Sequence, residues 1–240
     1  MANLTNKQQW DDNWKDNKKP LPSFLESIRQ ILIKQNHWNK KWGYPPMNMT
    51  LSTKILIETI IKYLPENYHD TSKEIIELGG AGGQILALLC RIFHCQGTAL
   101  DYSENGLEKA KEYCESNGIV IRTICGDIFT TPVNKKYDIV CSFGLIEHFD
   151  DPTEIVAKHY EYLKDGGYLI LQVPNFYGGV NNRLMKWLVP HVQDNHNIST
   201  MNINNWDYEQ RFHLEKIFCD YLGGFNPFIV HSIDNRHYID

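Results

Sequence analysis

Short apolar runs alternate with longer stretches of helical periodicity between Lys73 and Asn175, and this alternation limits the possible folds more than any other feature. Each short run predicts a buried strand, and each stretch between runs predicts a helix. Strands that are joined through helices run parallel, and a parallel sheet is buried on both faces. The pattern therefore predicts an α/β fold with a mostly parallel, twisted sheet and helices on both faces.

The strand and helix positions can be predicted along this stretch. Strands are expected at 74–78, 97–101, 119–124, 138–142 and 168–173, and helices at 84–93, 104–116 and 152–163. Ser103 is placed to cap the second helix. Because ligands of such sheets bind at the carboxyl ends of the strands, beside the switch in strand order, residues that follow the strands are the candidate site.

The first 70 residues lack this alternation and are predicted to form helices with irregular connections. Apolar residues at helical spacing predict helices at 23–34 and 51–64. Trp10 and Trp14 are four residues apart and would share one face of a helix. We interpret these tryptophans as packing residues rather than as part of a pocket.

Charge and hydropathy exclude several classes of protein. The 240 residues carry 24 Lys and Arg against 29 Asp and Glu, a net charge of −5, without the basic stripe that nucleic-acid binding requires. The longest apolar stretch, 85–93, contains Arg91 and is too short to span a bilayer. No basic-then-apolar leader opens the sequence. We therefore expect a cytoplasmic protein with a small-molecule partner, and neither nucleic acid nor membrane as a partner.

The six cysteines indicate neither a disulfide framework nor a metal site. None forms a CxxC pair, and Cys90, His94 and Cys95 cluster without a second half at zinc-site spacing. A chain of this length does not need disulfides to stabilise its core. We expect buried free thiols and no bound metal.

A glycine-rich segment at 77–83, ELGGAGG, follows the first predicted strand. Glycines there allow a sharp turn and a close approach to a ligand, although a plain strand-to-helix turn would use them too. The dinucleotide pattern GxGxxG fits poorly, because starting it at Gly80 puts Ile85 at the third glycine. Glu77 at the strand end would also repel a pyrophosphate, whereas it would suit a ligand with a positively charged amine.

This segment resembles motif I of the class I S-adenosylmethionine-dependent methyltransferases, acidic-x-Gly-x-Gly-x-Gly, with Ala81 in place of the central glycine. The methyl group of Ala81 is expected only to trim the pocket. The resemblance assigns these residues to the cofactor S-adenosyl-L-methionine: Glu77, Gly79, Gly80, Ala81, Gly83, Asp101, Tyr102, Gly126, Asp127, Ile128, Phe143 and Gly144. Asp101 would hold the two ribose hydroxyls, Tyr102 would lie along the adenine, and Asp127 would accept from its exocyclic amine.

Two later segments extend the resemblance toward the small-molecule members of the family. Residues 142–148 are similar to the "LEH" segment, and 163–169 to the "LKPGG" turn with Asp165 in place of proline. The resemblance covers about 75–175 and implies a Rossmann-like class I methyltransferase fold. It divides the chain into an N-terminal helical segment or cap at 1–70 and a cofactor-binding domain at 71–240, with an insertion at 175–205.

The activity implied by the resemblance is in-line methyl transfer to a small molecule, either a sugar or other metabolite hydroxyl or an amine, with S-adenosyl-L-homocysteine as product. His148 is a possible base beside Glu147, although a purely structural histidine is an equal alternative. The segments 41–47 and 175–205 are expected to close over the pocket. They contribute the candidate substrate residues Tyr44, Asn175, Tyr177 and His196.

Two other functions stay open at this point. One is a catalytically inactive methyltransferase-like binding or scaffold protein, against which the acidic residues Glu77, Asp101 and Asp127 argue. The other is a nicotinamide-dependent oxidoreductase, which the glycine spacing disfavours.

The C-terminal end predicts an unusual sheet edge. A helix is expected at 206–222 and a sixth strand at 227–233, after which seven residues remain. The family's sheet usually ends in a seventh, antiparallel strand, for which 236–240 leaves little length. We therefore expect either a trimmed edge or one that a partner subunit covers, as in a homodimer.

Overall fold

The computed structural model describes residues 5–14, 51–64, 72–174, 215–216 and 225–231. The helices are α1 (Lys7–Trp14), α2 (Leu51–Tyr63), α3 (Gln84–Phe93), α4 (Glu104–Ser116) and α5 (Pro152–Tyr162), with a 3-10 helix at Ile146–His148. The strands are β1 (Glu74–Leu78), β2 (Gln96–Asp101), β3 (Ile121–Cys125), β4 (Tyr137–Phe143), β5 (Leu163–Pro174), β6 (Glu215–Lys216) and β7 (Phe225–His231). The helices predicted between 84 and 163 are confirmed to within one residue at each end. The helix predicted at 23–34 lies outside the described residues.

One seven-stranded sheet holds the structure together, in the order β3-β2-β1-β4-β5-β7-β6. Neighbours among β1 to β5 are parallel, whereas β7 is antiparallel to both β5 and β6. The chain runs outward from β1 to β3 and then returns to place β4 on the other side of β1. The switch in strand order therefore lies between β1 and β4, and the predicted α/β fold class is confirmed.

Helices cover both faces of the sheet because successive residues of each strand point to opposite faces. Ile75 of β1 belongs to the hydrophobic cluster that contains α2, α3 and α4, whereas Ile76 belongs to the cluster that contains α5. Ile57 and Ile60 of α2 are fully buried in the first cluster, so this helix packs into the same core as β1. The domain boundary near residue 70 stays a prediction. No helix in the described ranges is long and apolar enough to cross a membrane.

The C-terminal edge of the sheet corrects the sequence-based prediction. The strand expected at 227–233 as the sixth is β7, which is antiparallel to β5, and β6 lies within the segment predicted as helix 206–222. The antiparallel strand is thus seven residues long and precedes residues 236–240, so the expectation of a trimmed edge is wrong, whereas the homodimer stays a prediction. Apolar composition predicts that a segment is a strand, but the path of the connecting chain decides its direction and neighbours.

The cysteines match the expected burial with one exception. The buried free thiols are Cys90, Cys95, Cys114 and Cys141. Cys125 is exposed, so the expectation of burial is wrong for this residue. It ends β3, which is the edge strand of the sheet within the described residues. Cys219 lies outside the described residues.

Candidate active site

A cavity of about 610 Å³ opens at the carboxyl ends of β1, β2, β3 and β4. Ten residues predicted from the sequence line it: Gly79, Ala81, Asp101, Tyr102, Gly126, Asp127, Ile128, Phe143, Gly144 and His148. Seven further lining residues were not predicted to belong to a site: Thr5, Trp10, Trp14, Phe129, Leu145, Phe149 and Glu154. The cavity lies at the switch in strand order, where ligands of such sheets bind.

Some predicted residues take other positions. Glu77, Gly80, Gly83 and Glu147 do not line the cavity but lie in the loop, strand and short helix that form its walls. Tyr44, Asn175, Tyr177 and His196 lie outside the described residues, as do the proposed closing segments 41–47 and 175–205. The roles of all these residues stay predictions.

The N–H groups of the glycine-rich loop are engaged within the protein. Four consecutive donors have the following acceptors: Gly79 N and Gly80 N donate to Leu100 O (2.9 and 3.1 Å), Ala81 N to Asp101 Oδ2 (3.3 Å), and Gly82 N to Gly106 O (3.0 Å). A phosphate-binding loop needs such donors for its ligand. These four are already bonded, which agrees with the poor fit of the dinucleotide pattern.

Close packing explains why the loop has glycines and where Ala81 fits. A Cβ on Gly80 would lie 2.9 Å from the Ala99 Cβ, so the loop can approach β2 only without a side chain there. A Cβ on Gly106 would lie 2.6 Å from the Ala81 Cβ. Gly106 in α4 therefore leaves space for the methyl group that departs from the family pattern. This methyl lines the cavity and also packs against α4.

Asp101 ends β2 with a buried carboxylate that faces the cavity. Its Oδ1 accepts from Ser103 N at 2.8 Å, and its Oδ2 accepts from Ala81 N. Burial raises the pKa of Asp101 to about 6, although three backbone N–H groups oppose this shift. Ser103 caps α4 by accepting from Gly106 N at 3.1 Å, as predicted, so Asp101 is not needed as the cap.

Glu77 belongs to β1, and its carboxyl is buried beside the backbone N–H of Leu86 in α3. Burial and, secondarily, the charge of Asp101 raise the pKa of Glu77 to about 8. Its Oε2 has no hydrogen-bond partner among the described residues. A cationic ligand above the loop would reduce the repulsion between the two carboxylates. These acceptors fit the positively charged amine and sulfonium of S-adenosylmethionine better than they fit an anion.

The turn after β4 brings a histidine and a third buried carboxyl to the wall of the cavity. His148 is 6% exposed, lines the cavity and contacts Trp10 edge-to-face, with ring centroids 5.1 Å apart and planes at 87°. Glu147 is 1% exposed, and its Oε1 lies 3.4 Å from the position that a Cβ on Gly144 would take. Its Oε2 has no hydrogen-bond partner among the described residues. Burial raises the pKa of Glu147 to about 8.

Replacing Glu147 by glutamine is expected to stabilise the protein increasingly as the pH rises. A carboxyl whose pKa is raised on folding adds its full contribution to the stability of the folded state below its unfolded pKa, near 4.5. That stability is lost as the pH rises through the folded pKa of about 8. Glutamine resembles the neutral acid and removes this loss. The free energy of unfolding of the variant should therefore exceed that of the wild type by about 2 kcal/mol or more at high pH. Urea unfolding of both proteins at pH 5.5, 7.0 and 8.5 measures it; a difference independent of pH would contradict the burial of an ionisable carboxyl.

The N-terminal helix α1 forms one wall of the cavity. Ser103 donates through its hydroxyl to Asp11 Oδ1 at 2.6 Å and so ties α1 to the start of α4. The Trp14 ring lies against Gly82, where a Cβ would come within 2.4 Å of it. The interpretation of Trp10 and Trp14 as packing residues outside the pocket is therefore wrong, because both line the cavity. Their four-residue spacing indicated a shared helix face, but no local pattern indicated what that face would cover.

Comparisons with known proteins agree with this geometry. A family model described as a methyltransferase domain matches residues 52–209. Proteins named ubiquinone biosynthesis O-methyltransferase are similar to the chain: one from Rickettsia canadensis is 30% identical over 60% of this chain and 60% of its own length, and one from Rickettsia prowazekii is 31% identical over 66% and 60%. The chain thus spans about 60% of the length of these curated relatives.

A solved structure extends the likeness to the fold. A Methanococcus maripaludis protein described as an S-adenosyl-L-methionine-dependent methyltransferase superposes with a TM-score of 0.55 over 92% of this chain and 97% of its own, at 20% identity. Identity at this level supports the fold alone. The match to the methyltransferase-domain model, which covers more than half of the chain, shows the family. The chain belongs to the methyltransferase-domain family and has the fold of the class I S-adenosylmethionine-dependent methyltransferases.

Proposed function

We propose that the protein transfers the methyl group of S-adenosylmethionine to a hydroxyl oxygen of a small-molecule acceptor and releases S-adenosylhomocysteine. The observation that carries this proposal is the chemistry of the cavity, whose loop N–H groups are bonded internally and whose walls present carboxylates and aromatic rings. Such walls favour a positively charged sulfonium. The Rickettsia relatives are named as O-methyltransferases, which supports oxygen rather than nitrogen as the acceptor atom.

Residues at the ends of β2 and β3 would hold the cofactor. The two oxygens of Asp101 suit the paired hydroxyls of a ribose, and Tyr102 offers an aromatic face beside them. Asp127 Oδ1 accepts from Phe129 N at 2.8 Å, and the other oxygen of Asp127 would accept from the exocyclic amine of adenine. When bound, S-adenosylmethionine supplies an electrophilic methyl group on a positively charged sulfur.

The residues after β4 would align the acceptor and remove its proton. His148 would accept the hydroxyl proton at a ring nitrogen while the acceptor oxygen is methylated. A pKa near 8 keeps Glu147 mostly protonated at neutral pH, so its carboxyl supports the Gly144 turn without adding a charge beside His148. Alignment can contribute about 7–11 kcal/mol, and a general base a further factor of about 10²–10⁴.

The remaining parts of the chain complete the proposal. We propose that the segments 41–47 and 175–205 close the cavity and supply Tyr44, Asn175, Tyr177 and His196 to the acceptor. The division into a helical cap at 1–70 and a cofactor-binding domain at 71–240 belongs to the same proposal. The region that the family model matches begins at residue 52, so it includes nearly all of α2, whereas α1 lies before it.

A methyl-donor turnover screen with the full chain tests the proposed function. Release of S-adenosylhomocysteine is measured with phenols, nucleotide sugars, other hydroxyl metabolites and amines as acceptors. We expect turnover with a hydroxyl acceptor, and we expect His148→Gln to lower kcat by about 10²–10⁴-fold without weakening S-adenosylhomocysteine binding. His94→Asn is the matched control, because His94 is an exposed histidine that does not line the cavity.

Each contrary result has a distinct meaning. Turnover with amines alone would replace oxygen by nitrogen as the acceptor atom. Binding of S-adenosylhomocysteine without turnover on any acceptor would favour the inactive binding or scaffold protein. Failure to bind S-adenosylhomocysteine in calorimetry would overturn the proposal as a whole.

A further inference from the structure

A chain of side-chain contacts connects the cofactor side of the cavity to His148. The Thr5 side chain lies close enough to the Tyr102 hydroxyl to lower the pKa of Tyr102 against the larger effect of burial. The Trp10 indole N–H donates to Thr5 Oγ1 at 2.9 Å, and the same indole contacts the His148 ring edge-to-face. All four residues line the cavity. The contacts thus run from the end of β2, through the N-terminal segment, to the turn after β4.

The middle of this chain of contacts comes from the N-terminal segment. Thr5 and Trp10 precede residue 52, where the match to the methyltransferase-domain model begins, whereas Tyr102 and His148 lie within the matched region. The connection between these two residues therefore depends on side chains outside the matched region.

The contacts restrict the indole at both ends. Thr5 is buried and accepts the indole proton, which fixes the orientation of the ring. Asp11, one residue after Trp10, accepts from the Ser103 hydroxyl and holds α1 on α4. An edge-to-face contact favours one relative orientation of two rings. A fixed indole therefore limits the orientations that the His148 ring can take.

We propose that Trp10 is a positioning residue for His148 and that Thr5 sets the indole through its hydrogen bond. The inference rests on the proposed function, in which His148 accepts the proton of the acceptor hydroxyl. A ring nitrogen of His148 can accept that proton only when it points at it. Trp10 holds the imidazole ring in the plane that allows this. Because Thr5 also lies beside Tyr102, the cofactor side and the proton-accepting side of the cavity are joined through the N-terminal segment.

Steady-state kinetics of four variants of the full chain test this inference. Thr5→Val removes the acceptor of the indole proton with little change in shape, and Trp10→Phe keeps an aromatic ring but removes the N–H. Each should lower kcat about fivefold, as expected for one hydrogen bond. The double variant should match Thr5→Val, because both changes break the same bond. Trp10→Ala removes the ring that contacts His148 and should lower kcat by about 100-fold. Trp10→Phe keeps a ring there and should therefore retain most of the activity that Trp10→Ala loses.

The distribution of the effect distinguishes positioning from binding. The KM for S-adenosylmethionine and the Kd for S-adenosylhomocysteine should change less than about threefold in Thr5→Val, because the Tyr102 ring that would lie along the adenine is retained. Retained S-adenosylhomocysteine binding also shows that each variant is folded. Gln8→Ala, an exposed residue of α1, is the control for substitution on the same helix and should match the wild type.

Three outcomes would overturn the inference. The first is full kcat in both Thr5→Val and Trp10→Phe when His148→Gln still loses turnover. The proposed function would stand in that case. Losses confined to S-adenosylhomocysteine affinity would make Trp10 a cofactor-binding residue instead. Full turnover in His148→Gln would remove the base itself, which is a failure of the proposed function rather than of Trp10 alone.

Discussion

Replacing Asp101 by asparagine is expected to weaken S-adenosylhomocysteine binding by about 30- to 1,000-fold, equivalent to about 2–4 kcal/mol. Both carboxylate oxygens already accept a backbone N–H, from Ser103 and Ala81, and Asp101 lines the cavity. An amide has one oxygen, so its NH₂ would oppose one of these N–H donors. The variant therefore loses acceptors for the ribose and also disturbs the loop that carries them. Isothermal titration calorimetry measures the effect.

A second carboxylate and the pH dependence serve as controls. Asp127→Asn should weaken S-adenosylhomocysteine binding by about tenfold or less. The amide oxygen can still accept from Phe129 N, and the side chain is exposed. With a pKa of about 6, Asp101 becomes protonated as the pH falls through 6. Wild-type affinity should therefore fall below pH 6, and Asp101→Asn should lack that fall. An affinity of Asp101→Asn within threefold of the wild type would contradict the ribose assignment.

Replacing Gly83 by alanine is expected to lower the free energy of unfolding by about 3 kcal/mol or more and to abolish cofactor binding. Gly83 has φ of +63° and precedes α3, so any Cβ adds backbone strain. That Cβ would also lie 2.9 Å from the Ala110 Cβ and 3.0 Å from its Cα. Because Ala110 belongs to α4, the loop could accept the methyl only by moving away from the helix. Urea unfolding and calorimetry measure the two losses.

Gly118 offers a matched control for the strain alone. Its φ is +71°, close to that of Gly83, but a Cβ there would have no atom within 4 Å. Gly118→Ala should therefore cost about 1 kcal/mol and leave S-adenosylhomocysteine binding unchanged. Equal losses in the two variants would show that the loop does not depend on its close packing against α4.

Much of the central fold could be predicted because its signals are local. Ser103 caps α4 by accepting a hydrogen bond from an N–H only three residues later. The apolar residues at helical spacing that follow it indicate the helix itself. Ile75 and Ile76 are both buried, one on each face of the sheet, as a short apolar run predicts for a parallel strand. Interactions of this kind depend on residues a few positions apart, so they can be seen in the sequence.

Part of the site could be predicted for a different reason. Asp101, Asp127 and His148 are far apart in the chain, but each follows a parallel strand. The carboxyl ends of parallel strands lie at one edge of the sheet, so topology alone brings these residues to one cavity. Glu77 and Glu147 were also expected there, yet their side chains are buried in its walls. A position at a strand end predicts proximity to the cavity but not the direction of the side chain.

The sequence by itself determined the α/β class, most central strands and helices, the family, and the residues that follow the strands. Only the tertiary structure decided that α1 lines the cavity with Trp10 and Trp14, and that the last predicted strand is the antiparallel β7. The physical reason is the range of the interactions. Hydrophobic spacing specifies which face of a helix or strand is buried, but the partner that buries it depends on contacts such as Asp11 with Ser103, 92 positions apart, which no local pattern contains.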